Sequence, residues 1–209
     1  MNTARRGLGL ASLHGKLYAV GGASGLGSRS DVEYLDPRTG QWVDAAPLNI
    51  ARHSHGLAVL GGKLYAVGGV DSLTSKRLRS VECFDPFGTT ERDSDDSDGD
   101  GDGDGNGTGG AGDRGAGAAG GGGGGSAAGG GRGTFHGSWT PVRPLSQARG
   151  NVAAVAMGGK LYAVGGTGQQ GGRLRSVEVF DPTRGGCSGL WADVDALELP
   201  RSDCSLVVM

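Results

Sequence analysis

His53 and His55 form a His-x-His pair beside Arg52. Alternate residues of a strand face the same side, so the two imidazoles can address one metal ion. No third ligand is evident, because His14 and His136 fall in turns elsewhere in the chain. The pair therefore reads as loop histidines on an exposed face. A second candidate is the Asp-Gly run within Glu91–Gly107. Asp98, Asp100 and Asp102 followed by Gly103 fit the first half of a calcium loop that requires a bidentate Glu at its twelfth position. That position is Gly109, and the frames beginning at Asp96 and Asp100 end on Gly107 and Ala111. The run reads as a solvated acidic linker. Gly62-Lys63 is not part of a phosphate loop, since a Leu-Tyr strand follows it instead of Ser/Thr and a helix. No Ser-His-Asp ordering stands out. Cys83, Cys187 and Cys204 lack metal-type spacing, and an odd count is a poor disulfide framework. No catalytic set, metal site or cofactor is expected, and a reducing compartment, cytoplasmic or nuclear, fits the cysteines.

The arginines carry a stronger pattern. Arg5, Arg52 and Arg149 each lie 16 residues before a glycine of a Gly-Gly pair (Gly21-Gly22, Gly68-Gly69, Gly165-Gly166). Trp42, Trp139 and Trp191 each lie 10 residues before Arg52, Arg149 and Arg201. Two roles are open for these arginines: satisfying loop carbonyls or a neighbouring element, and contacting a ligand.

What positions them is a repeat. GGKLYAVGG occurs at Gly61–Gly69 and at Gly158–Gly166, and HGKLYAVGG at His14–Gly22. VEYLDP, VECFDP and VEVFDP follow at Val32, Val81 and Val177. Each repeat reads as four short strands: an apolar one after the arginine, KLYAV, the acidic-proline segment, and one around the tryptophan. The first strand is almost wholly apolar, as expected of burial on both faces. Four antiparallel strands at a period of about 50 residues are a propeller blade.

The glycine doublets, with Tyr18, Tyr65 and Tyr162 and the three tryptophans, resemble the kelch family. Within it they are most similar to the kelch propellers of BTB-kelch proteins. The resemblance implies an all-β, incomplete kelch-type propeller. Its blades are expected at 1–52, at 53–86 joined with 135–149, and at 150–200, with the first strand of a further blade at 201–209. A chain stopping in mid-blade is expected to be a truncated product of a longer protein, with assembly of further copies into a ring and the loss of flanking exons as the alternatives; the sequence holds no BTB region.

The segment 87–134 is an insertion into the second blade. It holds 21 of the 46 glycines and a net charge of −6, against −2 for the 209-residue chain. Without periodic apolar positions it cannot offset its ordering entropy, so disorder is expected there. Neither charge balance argues for nucleic acid or a membrane, and no apolar run approaches the length of a bilayer span. Arg5-Arg6 before GLGLASL mimics a weak signal peptide, but the repeat register claims that stretch as a strand.

Specificity is expected where the repeats disagree: just after each arginine, and in the loops after each second Gly-Gly. By strand alternation both loop sets share one face. Its candidate contact residues are Arg6, Ser24, Arg29, His53, His55, Lys76, Arg77, Arg79, Asn151, Gln169, Gln170, Arg173, Arg175 and Ser202. A rigid base under variable basic and polar side chains suits a protein or peptide ligand, acidic in character. The resemblance implies non-catalytic substrate recognition for a cullin-3 ubiquitin ligase, with actin association as an alternative. The family's copper oxidases are a further alternative, but their metal-bound tyrosine and histidines cannot be assembled here.

Overall fold

The computed structural model describes residues 1–25, 27–88, 137–185 and 189–204. Of the segment expected to be disordered only Phe87 and Gly88 lie among them, and of the strand expected at 201–209 only residues 201–204, which form no strand beyond the single bridge of Arg201 to Leu174. The described residues form sixteen strands. Blade 1 contains β1 (Gly9–Leu13), β2 (Lys16–Val20), β5 (Val32–Asp36) and β6 (Gln41–Ala45), with the small ribbon β3 (Ala23–Ser24) and β4 (Gly27–Ser28). Blade 2 contains β7 (Gly56–Leu60), β8 (Lys63–Val67), β11 (Val81–Asp85) and β12 (Ser138–Val142), with the ribbon β9 (Val70–Asp71) and β10 (Lys76–Arg77). Blade 3 contains β13 (Ala153–Met157), β14 (Lys160–Val164), β15 (Val177–Asp181) and β16 (Leu190–Val194). Each blade is a four-stranded antiparallel sheet in chain order, β1-β2-β5-β6, β7-β8-β11-β12 and β13-β14-β15-β16.

The glycine doublets do two jobs. His14-Gly15, Gly61-Gly62 and Gly158-Gly159 all have positive φ, as a two-residue hairpin between twisted strands requires. The second doublet is a point of close approach. A Cβ on Gly68 would stand 2.6 Å from the Arg149 carbonyl oxygen, and one on Gly165 would stand 2.5 Å from that of Arg201. The chain entering the next blade thus lies directly on the preceding blade's glycines, and Gly22, Gly69 and Gly166 donate their N–H groups to the carbonyls of Arg52, Arg149 and Arg201.

The core lies in the seams between blades. Tyr18, Val20 and Val32 meet Leu64, Phe84 and Trp139 at the first seam. Tyr65, Val67 and Cys83 meet Leu161 and Phe180 at the second. The tryptophans also pin successive blades. Trp139 Nε1 donates to the Ala46 carbonyl and Trp191 Nε1 to that of Arg143, both at 2.9 Å. Trp42 and Tyr162 are half-buried.

One expectation is corrected. The first strand of each blade was expected to be buried on both faces, yet Leu10 of β1 is 56 % exposed and Met157 of β13 is 52 % exposed. Of the three, only β7 packs against both neighbours, β1 and β13.

Candidate recognition face

The repeated arginines are the frame of the face. Arg52 Nη1 donates to the carbonyls of Gly68 and Ser80 at 2.8 and 3.0 Å, and Nη2 to Ser80 Oγ at 3.1 Å and Glu82 Oε1 at 2.5 Å. Arg149 repeats this with Gly165, Ser176 and Glu178, and Arg5 with Gly21, Asp31 and Glu33. The three arginines and three glutamates have side chains at most 2 % exposed. Glu82 also accepts the N–H groups of Asn49 and Ile50, and Glu178 those of Ser146 and Gln147, so each carboxylate anchors the segment arriving from the previous blade. Guanidinium groups enclosed in this way have no surface with which to meet a ligand. Arg201 differs: its side chain is exposed and pairs with no carboxylate among the described residues, while its backbone bonds Leu174 and Gly166.

Sequence reasoning missed the glutamates. Their signal was a nearly constant separation from the arginines, 28, 30 and 29 residues. It also missed the left-handed residues two after each arginine. Gly7, Ser54, Asn151 and Asp203 all have positive φ. Ser54 N–H donates to the Gly7 carbonyl, Asn151 to Ser54 and Asp203 to Asn151, at 2.7–3.1 Å, a ladder linking successive blades.

The two variable loop sets do meet. The residue after each arginine pairs with the residue after each second Gly-Gly: Arg6 with Ala23, His53 with Val70, Gly150 with Thr167. On the resulting surface Arg6, Lys76, Gln169, Gln170 and Arg173 are exposed, whereas Ser24, Asn151 and Ser202 are half-buried. Other candidates are tied down. Arg29 pairs with Asp31. Arg77 N–H donates to Gln169 Oε1 at 3.0 Å. Arg79 and Arg175 each use Nε on the carbonyl of Leu145 or Leu197 at 2.8 Å, while the side chains stay exposed. His53 Nδ1 shares a 2.8 Å hydrogen bond with Ser28 Oγ, and Ser72 N–H donates to the same hydroxyl at 2.9 Å. Burial, and then the Arg6 charge, lower the His53 pKa. At the tip of the Val70–Arg77 ribbon Leu73 is 92 % exposed.

His55 does not belong to this face. It is 6 % exposed, and both ring nitrogens lack a hydrogen-bond partner among the described residues. Its ring abuts Gly9 and Gly21 of blade 1, where added Cβ atoms would come within 2.8 and 3.2 Å of it. The i, i+2 rule fails because Ser54, between the histidines, is left-handed at φ 51°. The strand alternation is broken, His53 stays with the loops and His55 turns into the seam. Burial, the nearby Arg52 and His53 together push its pKa down to about 3. Among the described residues no cluster of three His, Cys, Asp or Glu side chains can hold a metal ion.

Sheets of four antiparallel strands, stacked face to face with their first strands gathered together, are the blades of a β-propeller. The Kelch motif model matches residues 4–49, 51–86 and 148–194, which is more than half of the sequence, and the chain belongs to the kelch-repeat family. It is similar to the F-box/kelch-repeat protein At1g67480 of Arabidopsis thaliana, 37 % identical over 67 residues, covering 32 % of this chain and 17 % of the relative. It is also similar to mouse (Mus musculus) Kelch-like protein 35, 38 % identical over 48 residues, covering 23 % of this chain and 8 % of the relative. The chain therefore spans a small part of the curated relatives it matches. The solved structure of YjhT superimposes with a TM-score of 0.62 at 17 % identity, over 96 % of this chain and 54 % of that one, which is a likeness of fold.

Proposed function

We propose that the chain is a non-catalytic recognition module whose variable loop face captures a protein or peptide bearing acidic side chains. The observation that carries this is that Lys76, Arg79, Arg173 and Arg175 are all exposed on two loops, of blades 2 and 3, that meet where Arg77 N–H donates to Gln169 Oε1. Arginines are enriched among binding hot spots, and exposed like charges steer a partner of opposite charge. The likeness to Kelch-like protein 35 supports reading the ligand as a substrate presented to a cullin-3 ligase when such a propeller is joined to a BTB region.

The test uses residues without structural duties. Lys76 and Arg173 make no side-chain hydrogen bond among the described residues, so Lys76→Glu with Arg173→Glu alters charge while leaving the loops intact. The wild-type chain should select acidic peptides from an array that also holds neutral and basic ones, more weakly as salt rises. The double variant should lose that binding by about tenfold or more. Equal binding by the folded variant would remove this face as the site.

A further inference from the structure

The two seams of this repeat can be compared position by position, and the second lacks two side chains that plug the first. At the first seam Tyr34 stacks on Tyr18 with ring centroids 5.6 Å apart, beneath the Lys16 ammonium at 4.0 Å. Beside it the ring of His14 lies 5.1 Å from Phe87 and reaches the Gly62 carbonyl at 3.3 Å. The strand register places Tyr34 opposite Tyr18 and Cys83 opposite Tyr65, so Cys83 occupies the position of Tyr34. Gly61 occupies the position of His14, while Lys63 and Tyr65 are retained. Between blades 2 and 3 this leaves a half-open cleft of about 330 Å³, lined by Leu60, Gly61, Lys63, Tyr65, Cys83 and Phe180 among others. A Cβ on Gly61 would meet nothing within 4 Å.

We infer that this cleft binds a small aromatic molecule of phenol size, with its ring where Tyr34 stands at the preceding seam. The walls already hold the parts that seat Tyr34. An aromatic face, Tyr65, stands at one side for an offset ring pair. An ammonium, that of Lys63, lines the cleft paired with Asp85 Oδ2 at 2.8 Å, and reaches over a bound ring by swinging off that partly exposed carboxylate. The cleft is preformed and lined by apolar side chains together with a few polar groups, as small-molecule sites are. The cleft opens at the hairpin-turn end of the strands, away from the variable loops, so this inference is independent of the proposed recognition face.

The probe is p-cresol, followed by ligand-observed NMR and by thermal shift on the full chain. The wild type should bind one equivalent saturably. Cys83→Tyr restores the ring of the first seam and should weaken binding by about tenfold or more. Gly61→His plugs the cleft independently, and His14 adopts the same left-handed backbone at φ 47°, so this variant tests the idea even if Cys83→Tyr fails to fold. Removing both plugs from the first seam, with His14→Gly and Tyr34→Cys, should raise the stoichiometry to two. Absence of saturable binding to the wild type, or undiminished binding in a folded plugged variant, would overturn the inference. So would binding of a tyrosine-containing peptide with no binding of p-cresol.

Discussion

A guanidinium taken out of water must spend its donors on fixed acceptors, and Arg52 does so on two carbonyls, a hydroxyl and Glu82. Removing one member of such a buried pair strands the other and costs about 3–5 kcal/mol. Arg52→Ala should therefore cost that much in urea unfolding. Arg201→Ala removes the same side chain at an exposed position with no carboxylate partner among the described residues and should change stability by less than about 0.5 kcal/mol. Similar losses at the two positions would refute the distinction. His55 gives a second prediction at this scale. Its folded pKa of about 3 lies below the ordinary 6.5, so the unfolded chain binds the proton more readily. Its contribution is complete above pH 6.5 and declines as pH falls toward 3, by on the order of 1 kcal/mol per unit. Val152 fills the equivalent position in blade 3. His55→Val should flatten stability against pH between 6.5 and 3, measured by denaturant titration. An unchanged slope would assign the acid sensitivity to other groups.

At the scale of the strand and its turns, the repeated glycines, tyrosines and tryptophans were legible because each marks a steric or packing requirement met locally. A hairpin needs two positive φ values, and a crossing segment needs a neighbour without a Cβ. Glu33, Glu82 and Glu178 were not legible. In an alternating strand an acid reads as the solvated face, and only the arginine some thirty residues earlier reveals that it points inward. His55 failed for the converse reason. The strand rule was applied across Ser54, whose left-handed backbone is set by the inter-blade ladder and not by its own side-chain preference. The variable loops were correctly joined into one surface, because strand direction alone decides on which end a connection falls. Which arginines on it are free was not legible: Arg79 and Arg175 resemble Arg173 in sequence but bond carbonyls of the incoming segment.

For the molecule as a whole, the seams matter more than the sheets, since the apolar side chains of one blade are buried by the next. That is why the same strand is covered in β7 and partly bare in β1 and β13, a difference that no single repeat displays. It also fixes what the long connection of blade 2 must do. Asp85 and Ser138 are direct partners across β11 and β12, as Asp36 and Gln41 are across β5 and β6. In blade 1 four residues, Pro37-Arg38-Thr39-Gly40, close that gap, with the Arg38 N–H on Asp36 Oδ1 and the Gly40 N–H on the Asp36 carbonyl. In blade 2 the connection is 52 residues, 86–137. Each doubling of a connection's length adds about 0.6 kcal/mol of closure entropy, so the difference is on the order of 2 kcal/mol in favour of the short turn. Replacing 86–137 by Pro-Arg-Thr-Gly should leave the blade intact and raise Tm by up to about 8 °C for a domain of this size. Calorimetry would decide it. A lower Tm would mean that residues of the long connection contribute packing to the blades that the short turn cannot supply.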